Sequence, residues 1–182
     1  MSIFSYLDSV MSEQHIFLVG PMGAGKTTIG RQLAKLLERP FFDIDAEIEA
    51  RCGADIQWIF EREGEQGFRQ RESRVLEDIA VAHDSAVIAT GGGLVLADAN
   101  RRLLRAHGKT VYLAASKEQL YRRTRKDKKR PLLQVENREQ VIEQLLEKRD
   151  PLYREVADLV FPAVGGQVSA VTKRLLDALE TL

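Results

Sequence analysis

The sequence predicts an α/β fold in which helices cover both faces of a parallel β-sheet. Short apolar runs, typical of strands buried on both faces, alternate with longer segments of helical periodicity. Glycine or proline stands at most boundaries between these segments. No internal repeat or low-complexity segment interrupts the alternation, so we expect residues 1–182 to form a single domain.

The first elements follow from apolar spacing and turn residues. The run HIFLVG at 15–20 predicts a buried strand, and apolar residues at helical spacing predict a helix at 26–37. Pro40 ends that helix. The segment PFFDID at 40–45 predicts the second strand, with acidic residues at its carboxyl end. The acidic segment after it predicts a helix that Gly53 breaks.

The remaining elements show the same signals. Gly64 separates a short helix from a longer charged one, and Ser116 caps a later helix. Asp150-Pro151 predicts a break followed by a new helical turn, and residues 125–136 lose periodicity and carry a basic cluster. The further strands are predicted at 86–90, 110–114 and 158–161, and the further helices at 55–63, 65–82, 98–107, 116–125, 137–149 and 168–182.

The clearest functional motif is GPMGAGKT at 20–27, which matches the P-loop pattern G-x-x-x-x-G-K-[ST] between a strand and a helix. Glycine lets the backbone turn its N–H groups toward phosphate oxygens, and the helix N-terminus adds positive potential. Lys26 is predicted to reach the β- and γ-phosphates of ATP, and the Thr27 hydroxyl to bind Mg²⁺. The predicted ATP-binding residues of this segment are Gly23, Ala24, Gly25, Lys26, Thr27 and Thr28.

Further candidates stand at the ends of the second and third strands, where ligands bind in folds of this class. Alternation along the second strand puts the carboxylates of Asp43 and Asp45 on the same side, one to position metal-bound water and the other the accepting hydroxyl. Asp45 could instead serve only as the cap of the next helix. Thr90 is followed by three glycines, which permit close approach of the backbone to a ligand.

Arginine suits a carboxylate or a transferring phosphoryl group, and Arg69, Arg130 and Arg154 are candidates for such a role. Each could equally be a solvated surface residue. Together with the P-loop, these residues indicate a kinase that moves the γ-phosphate of ATP onto a hydroxyl of a small anionic metabolite.

Composition argues against several other classes of function. Lys and Arg number 27, as do Asp and Glu, so the net charge of zero gives no support to binding nucleic acid or membrane. No apolar stretch approaches the ~20 residues of a membrane helix. The basic run at 122–130 could form a nucleic-acid patch, but few aromatic residues interleave it. A basic lid that closes over ATP explains the run better.

The cysteine count and the N-terminus bear on the compartment. Cys52 is the single cysteine, so an internal disulfide is impossible, and we expect a reducing compartment, the cytoplasm. Residues 1–13 lack the basic start and long apolar run of a signal peptide. We expect them to be a loosely ordered extension or a short helix without a chemical role.

Taken together, several motifs resemble the shikimate kinase family, within the nucleoside-monophosphate-kinase-like group of P-loop folds. The resemblance runs from about residue 15 to residue 182 and implies a three-layer α/β/α fold with a five-stranded parallel sheet of order 2-3-1-4-5. It also implies a substrate-binding segment within 34–72 and a mobile lid at about 123–136. The motifs that carry it are GPMGAGKT, FFDID, IFEREGEQGFRQRES, ATGGG, KKRPLLQ and RDPLYREVA.

The resemblance implies phosphorylation of the 3-hydroxyl of shikimate by ATP, with Mg²⁺, in chorismate and aromatic amino-acid biosynthesis. Asp45 would be the base that contacts this hydroxyl, and Asp43 would help Thr27 to hold Mg²⁺. Arg69 and Arg154 would clamp the shikimate carboxylate. The implied catalytic residues are Lys26, Asp45 and Arg130, and the implied shikimate-binding residues are Asp45, Arg69, Gly91, Gly92, Gly93 and Arg154.

Three further roles come from the resemblance alone. Glu72 would orient the arginines, Arg130 in the lid would bind phosphate and stabilise the transferring charge, and Arg123 would stack on adenine. The chain departs from the family after the last strand, where it reads VFPAVGGQ at 160–167 in place of a polar pair. No residue role is therefore carried over to that loop.

Three alternative functions fit the sequence less well. The first is another small-molecule kinase of this fold, such as gluconate kinase. The paired arginines and Glu72 argue against it, because they suit a substrate that is a compact cyclic carboxylate. A nucleotide-switch module would carry an NKxD-type guanine signature, which the sequence lacks. A nucleic-acid-binding protein is opposed by the neutral charge. The resemblance implies a monomer that acts on shikimate and ATP.

Overall fold

The computed structural model describes residues 14–125 and 136–182, which form one parallel β-sheet with helices on both faces. The strands are β1 His15–Val19, β2 Phe41–Asp43, β3 Val87–Ala89, β4 Gly108–Ala114 and β5 Leu159–Pro162. Their order in the sheet is β2-β3-β1-β4-β5, and all four pairings are parallel. The predicted fold class and strand order are confirmed.

Seven α-helices occur in the described ranges, and a short 3-10 helix follows β3. None of these helices is long and apolar enough to cross a lipid bilayer. The expectations for residues 1–13 and for lid residues 126–135 fall outside the described ranges. The α-helices are α1 Lys26–Leu36, α2 Ile44–Cys52, α3 Ile56–Ala82, α4 Asp98–His107, α5 Lys117–Thr124, α6 Arg138–Val156 and α7 Val168–Leu179, and the 3-10 helix is Leu94–Leu96.

β1 lies at the centre of the sheet and explains how two apolar cores form. All five of its residues are buried, because neighbouring strands flank it and helices cover both of its faces. Alternation directs Phe17 and Val19 into one core and Ile16 and Leu18 into the other. The strand therefore reads as a continuous apolar run.

One predicted helix boundary is confirmed and another is wrong. Gly64, predicted to separate a short helix from a longer one, has the non-helical angles φ 68° and ψ −177°, so two helical segments meet at a kink within α3. The break predicted at Pro151 is wrong, because α6 runs through it. A proline leaves one helical carbonyl without its N–H partner, but Pro151 and Glu147 are both exposed, so water can satisfy that group.

Gly30 lies within α1, where this helix packs against the sheet. A Cβ atom at Gly30 would lie 2.6 Å from Cε2 of Phe41 and 3.0 Å from Cδ1 of Leu18. We expect Gly30→Ala to lower the free energy of unfolding by about 1–2 kcal/mol, because overpacking outweighs the helix propensity of alanine. Urea unfolding measures this change.

Lys35→Ala is the matched control, since Lys35 is exposed on the same helix. Its unfolding free energy should change by less than about 0.5 kcal/mol. A Gly30→Ala variant as stable as the wild type would contradict the close packing of α1 on the sheet.

Candidate active site

The loops that carry the predicted site residues gather at one edge of the sheet, where the parallel strands end. The P-loop follows β1, Asp43 ends β2, and glycines 91–93 come just after β3. Leu18 and Asp43 both pair with Ala89, so these strand ends lie side by side. Two adjoining cavities of about 490 and 430 Å³ open at this edge, as is usual for ligand sites in α/β folds.

The larger cavity, here called the nucleotide cavity, is formed by the P-loop, Arg123 and the loop after β5. That loop contributes Ala163, Gly165 and Gly166, and Val168 at the start of α7 lies beside them, so the segment where the sequence departs from its family does border the cavity. The six P-loop residues predicted to bind ATP all line it: Gly23, Ala24, Gly25, Lys26, Thr27 and Thr28.

Two glycines give the P-loop its turn. Gly23 has a φ of +82°, and a Cβ atom there would lie 2.8 Å from Cγ2 of Thr124. Gly25, just before α1, has a φ of +99°. Side chains rarely allow such backbone angles, so both positions favour glycine. The turn presents the first N–H groups of α1, which have no intrahelical partners, to an anion.

Lys26 is buried beneath the same loop. Its ammonium group donates to the carbonyl oxygens of Gly20 at 2.7 Å and Pro21 at 2.8 Å. A phosphate oxygen in the nucleotide cavity offers the same group a charged, stronger acceptor. The lysine is thus held where the sequence places the β- and γ-phosphates.

The structure corrects the predicted geometry of Asp43 and Asp45. β2 ends at Asp43, and Asp45 lies in the first turn of α2. The two carboxylates are therefore not positioned by alternation along a shared strand, as the sequence predicted. The reason is that Asp43, not Asp45, caps α2: its Oδ1 accepts hydrogen bonds from the N–H groups of Asp45 at 3.1 Å and Ala46 at 3.3 Å. Both aspartates nevertheless line both cavities.

The second oxygen of Asp43, Oδ2, accepts a hydrogen bond from the Thr27 hydroxyl at 2.5 Å. A hydroxyl and a carboxylate oxygen suit Mg²⁺, which is usually held by one or two protein oxygens together with substrate phosphates. Within 14–125 and 136–182, no group of three or more His, Cys, Asp or Glu residues could hold a metal ion by itself. This pair of donors therefore fits Mg²⁺ that arrives with ATP.

Arg123, at the end of α5, links the two walls of the nucleotide cavity. Its Nη1 donates to the carbonyl oxygens of Gly23 at 3.2 Å and Ala24 at 3.3 Å, and its Nη2 donates to that of Ala163 at 3.2 Å. A flat cationic group is thus fixed between the P-loop and the loop after β5. This position is compatible with the predicted contact to adenine.

The smaller cavity, here called the acceptor cavity, lies beside the nucleotide cavity. Ile56, Phe60 and Phe68 give it an apolar wall, while Arg69, Glu72 and Arg149 supply charge. Such a lining can hold a compact molecule that has apolar faces and an anionic group. The two cavities share Thr27, Asp43, Asp45, Gly91 and Gly92, so two bound ligands would meet at these residues.

A buried ion pair lines the acceptor cavity. Glu72 has no solvent exposure, and its Oε2 accepts a hydrogen bond from Nη1 of Arg69 at 2.7 Å. Oε1 of Glu65 accepts another from Nη2 of Arg69 at 3.1 Å, so the guanidinium group is held on two sides. Burial raises the pKa of Glu72 to about 7, although the positive charge of Arg69 opposes this shift.

The ion pair occupies the space beside Gly91 and Gly93 that side chains at these positions would fill. A Cβ atom at Gly91 would collide with Oε1 of Glu72, and one at Gly93 would collide with the guanidinium group of Arg69. Neither glycine has a positive φ. Glycine is therefore needed here for room beside the ion pair and not for an unusual backbone conformation.

The second predicted clamp residue, Arg154, lines neither cavity. Its side chain is 56% exposed, its Nε donates to Oδ2 of Asp150 at 2.7 Å, and its guanidinium group lies over the ring of Tyr112. Arg149 lines the acceptor cavity instead. Five residues along a helix correspond to a rotation of about 140°, so the two arginines face different directions.

Arg149 has the character of a ligand-binding residue. It is only 4% exposed, and its Nε has no hydrogen-bond partner within the described part of the chain. A buried cation with an unsatisfied N–H group is costly, and an anionic ligand relieves that cost. Arg69 and Arg149 together therefore make the acceptor cavity suited to a carboxylate.

The spacing of residues along α6 indicates a site role for Arg149, but only if the helix continues through Pro151. In an unbroken α6, Ile142, Arg149, Tyr153 and Val156 share one face, and the structure buries all four. An arginine on an otherwise apolar face is a candidate for binding a charged ligand.

Arg130, the predicted lid residue, lies outside the described residues, and its contact with phosphate stays a prediction.

Comparisons with known proteins agree on one family. A sequence model of the family described as shikimate kinase matches residues 22–180. The shikimate kinase of Chromohalobacter salexigens is 56% identical over 172 residues, which cover 91% of this chain and 95% of that protein. The shikimate kinase of Histophilus somni is 48% identical over 171 residues, which cover 93% of this chain and 97% of that protein.

A solved structure agrees with these relatives. Shikimate kinase from Acinetobacter baumannii in complex with shikimate superposes with a TM-score of 0.91 at 47% identity. The match covers 96% of this chain and 97% of that chain. The fold and nearly the whole length are therefore held in common.

Glu72 provides a test of the buried ion pair through pH. Its pKa is about 7 in the folded protein against an ordinary value of 4.5, so the folded state keeps a proton that the unfolded chain releases. Between these values, rising pH should lower the stability of the wild type relative to Glu72→Gln, by about 3 kcal/mol in total. Urea unfolding of both proteins at pH 4.5 and pH 8 measures this change. Parallel pH curves for the two proteins would contradict the burial of Glu72.

Proposed function

The chain belongs to the shikimate kinase family, and on that premise we propose that it transfers the γ-phosphoryl group of ATP to the 3-hydroxyl of shikimate. The product is shikimate 3-phosphate, an intermediate of chorismate and aromatic amino-acid biosynthesis. The observation that carries the proposal is the meeting of two cavities at Asp43 and Asp45, one beside a P-loop and the other beside two arginines.

The acceptor cavity recognises the carboxylate of shikimate through Arg69 and Arg149. Arg69 is already oriented by Glu72 and Glu65, so it loses little freedom when it binds. Arg149 is a buried cation that lines the cavity, and the substrate carboxylate provides an anionic partner for its guanidinium group. The ring of shikimate then lies against the apolar wall, with its hydroxyls toward Asp45.

Transfer proceeds in line at the boundary between the cavities. The 3-hydroxyl oxygen forms a bond to the γ-phosphorus as the bond from that phosphorus to the bridging oxygen of ADP breaks. Asp45 accepts the proton that the hydroxyl releases, since it lines both cavities and is placed to contact either ligand. Positioning and charge stabilisation supply most of the rate enhancement.

The nucleotide cavity holds ATP through the N–H groups at the start of α1 and the ammonium group of Lys26. Thr27 and Asp43 would hold Mg²⁺, which neutralises phosphate charge when it is bound. Arg123 contacts adenine, and Arg130, from the lid, stabilises the transferring charge. The roles of these two arginines rest on the family resemblance, supported for Arg123 by its position in the cavity.

We further propose that the enzyme acts in the cytoplasm as a monomer, as expected from the sequence and the family resemblance. A coupled assay of ADP release with ATP, Mg²⁺ and shikimate tests the function, with gluconate and nucleoside monophosphates in parallel. Turnover on one of these other acceptors, without turnover on shikimate, would overturn the assignment of the acceptor.

Arg149 and Arg154 form a matched pair for testing the carboxylate site. We expect Arg149→Gln to raise the KM for shikimate at least about 30-fold, because the substrate carboxylate loses a buried charged partner. Arg154→Gln should change that KM less than about threefold, because Arg154 is exposed and bound to Asp150. Steady-state kinetics with saturating ATP measures both, and the opposite ranking would restore the original prediction for Arg154.

Asp45→Asn tests the proposed base. We expect kcat to fall by about 10²–10⁴-fold, because the amide cannot accept the proton of the attacking hydroxyl. The dissociation constant for ATP, measured by isothermal titration calorimetry, should stay within about threefold of the wild-type value, because P-loop contacts dominate nucleotide binding. An unchanged kcat would rule out Asp45 as the base.

A further inference from the structure

Tyr153 is a buried tyrosine that the proposed mechanism does not use. It is 1% exposed on α6, one helical turn after Arg149, and its hydroxyl donates to the carbonyl oxygen of Gly92. Tyr153 thus joins α6 to the glycine loop, residues 91–93, at the point where that loop lines the acceptor cavity.

Among the residues that the structure describes, the contacts that anchor the glycine loop all go to its carbonyl groups. The carbonyl of Gly91 accepts from the N–H of Leu94 at 3.2 Å, and that of Gly93 accepts from the N–H of Leu96 at 3.0 Å. The carbonyl of Gly92 lies between them and depends on Tyr153. Removing that donor would leave one peptide of the loop without its anchor.

Peptide geometry links this anchor to the ligand. The peptide unit is planar and trans, so the carbonyl of Gly92 and the N–H of Gly93 point in opposite directions. A hydroxyl that fixes this carbonyl therefore also fixes the N–H of Gly93, a residue that lines the acceptor cavity. Within the described ranges, the N–H groups of Gly92 and Gly93 are donors in no hydrogen bond, which leaves them for a ligand.

We propose that Tyr153 is a positioning residue for the acceptor: its hydroxyl sets the direction of the Gly92–Gly93 peptide. Burial raises the pKa of the Tyr153 hydroxyl to about 12, so it remains a donor throughout the neutral range. The inference rests on the proposed function, because the ligand whose binding it affects is shikimate.

The neighbouring Tyr112 supplies a matched control. It is also 1% exposed, and its ring stacks on that of Tyr153 with centroids 5.0 Å apart. Its hydroxyl donates to Oδ1 of Asp150 at 2.7 Å, away from both cavities. Tyr153→Phe and Tyr112→Phe therefore each remove one buried hydroxyl from the same stacked pair, but only the first hydroxyl contacts the acceptor site.

Steady-state kinetics with both substrates varied, together with thermal unfolding, tests the inference. Tyr153→Phe should raise the KM for shikimate about five- to tenfold and leave the KM for ATP within about twofold. Tyr112→Phe should leave both KM values within about twofold while lowering the melting temperature to a similar extent. A purely structural role would not raise the KM for one substrate alone.

The outcomes separate this inference from the proposed function. If the wild type turns over shikimate but both variants show the same KM values, or if Tyr153→Phe shifts both KM values equally, the positioning role is wrong. If the wild type releases no ADP with shikimate, the proposed function fails and the inference fails with it.

Discussion

Glu72 is fully withdrawn from solvent, and a carboxylate in that position needs the guanidinium group of Arg69, 2.7 Å away, to remain ionised at moderate cost. The rest of the acceptor site is arranged around this ion pair. Gly91 and Gly93 have no side chains because the pair fills the space where Cβ atoms would lie. Arg69 in turn receives a fixed direction, which a solvated arginine would lack. The same contact therefore shapes the cavity and provides its charge.

The parallel sheet determines where this site can be. Strands that run in the same direction end at the same edge, so the P-loop, Asp43 and the glycine loop meet without any long connection. Asp43 uses one oxygen to start α2 and the other to contact Thr27, and it thereby ties the two cavities together. The same side chain therefore both caps the helix and fixes the geometry of the site.

The fold and the nucleotide cavity could be predicted from the sequence because their signals are local. A P-loop requires a strand before it and a helix after it, and both are visible in the spacing of apolar residues. The acceptor cavity was predicted less well. The resemblance implied Arg154 as the second clamp residue, whereas Arg149 lines the cavity, because which helix face meets the site depends on tertiary packing. The prediction was right to put Asp43 in the strand and wrong to put Asp45 there, because the strand ends at Asp43 and the Asp43 side chain caps the next helix.

The kink at Gly64 divides the wall of the acceptor cavity between two helical segments. Ile56 and Phe60 of the apolar wall precede it, whereas Phe68, the third apolar residue, follows it together with Arg69 and Glu72, which hold the anionic group. The backbone angles of Gly64 are accessible almost only to glycine, so the junction itself is under tight constraint. The segments on either side can nevertheless diverge separately. Substitutions in the first segment can therefore adapt the cavity to a larger or smaller acceptor while Arg69 and Glu72 in the second segment stay unchanged.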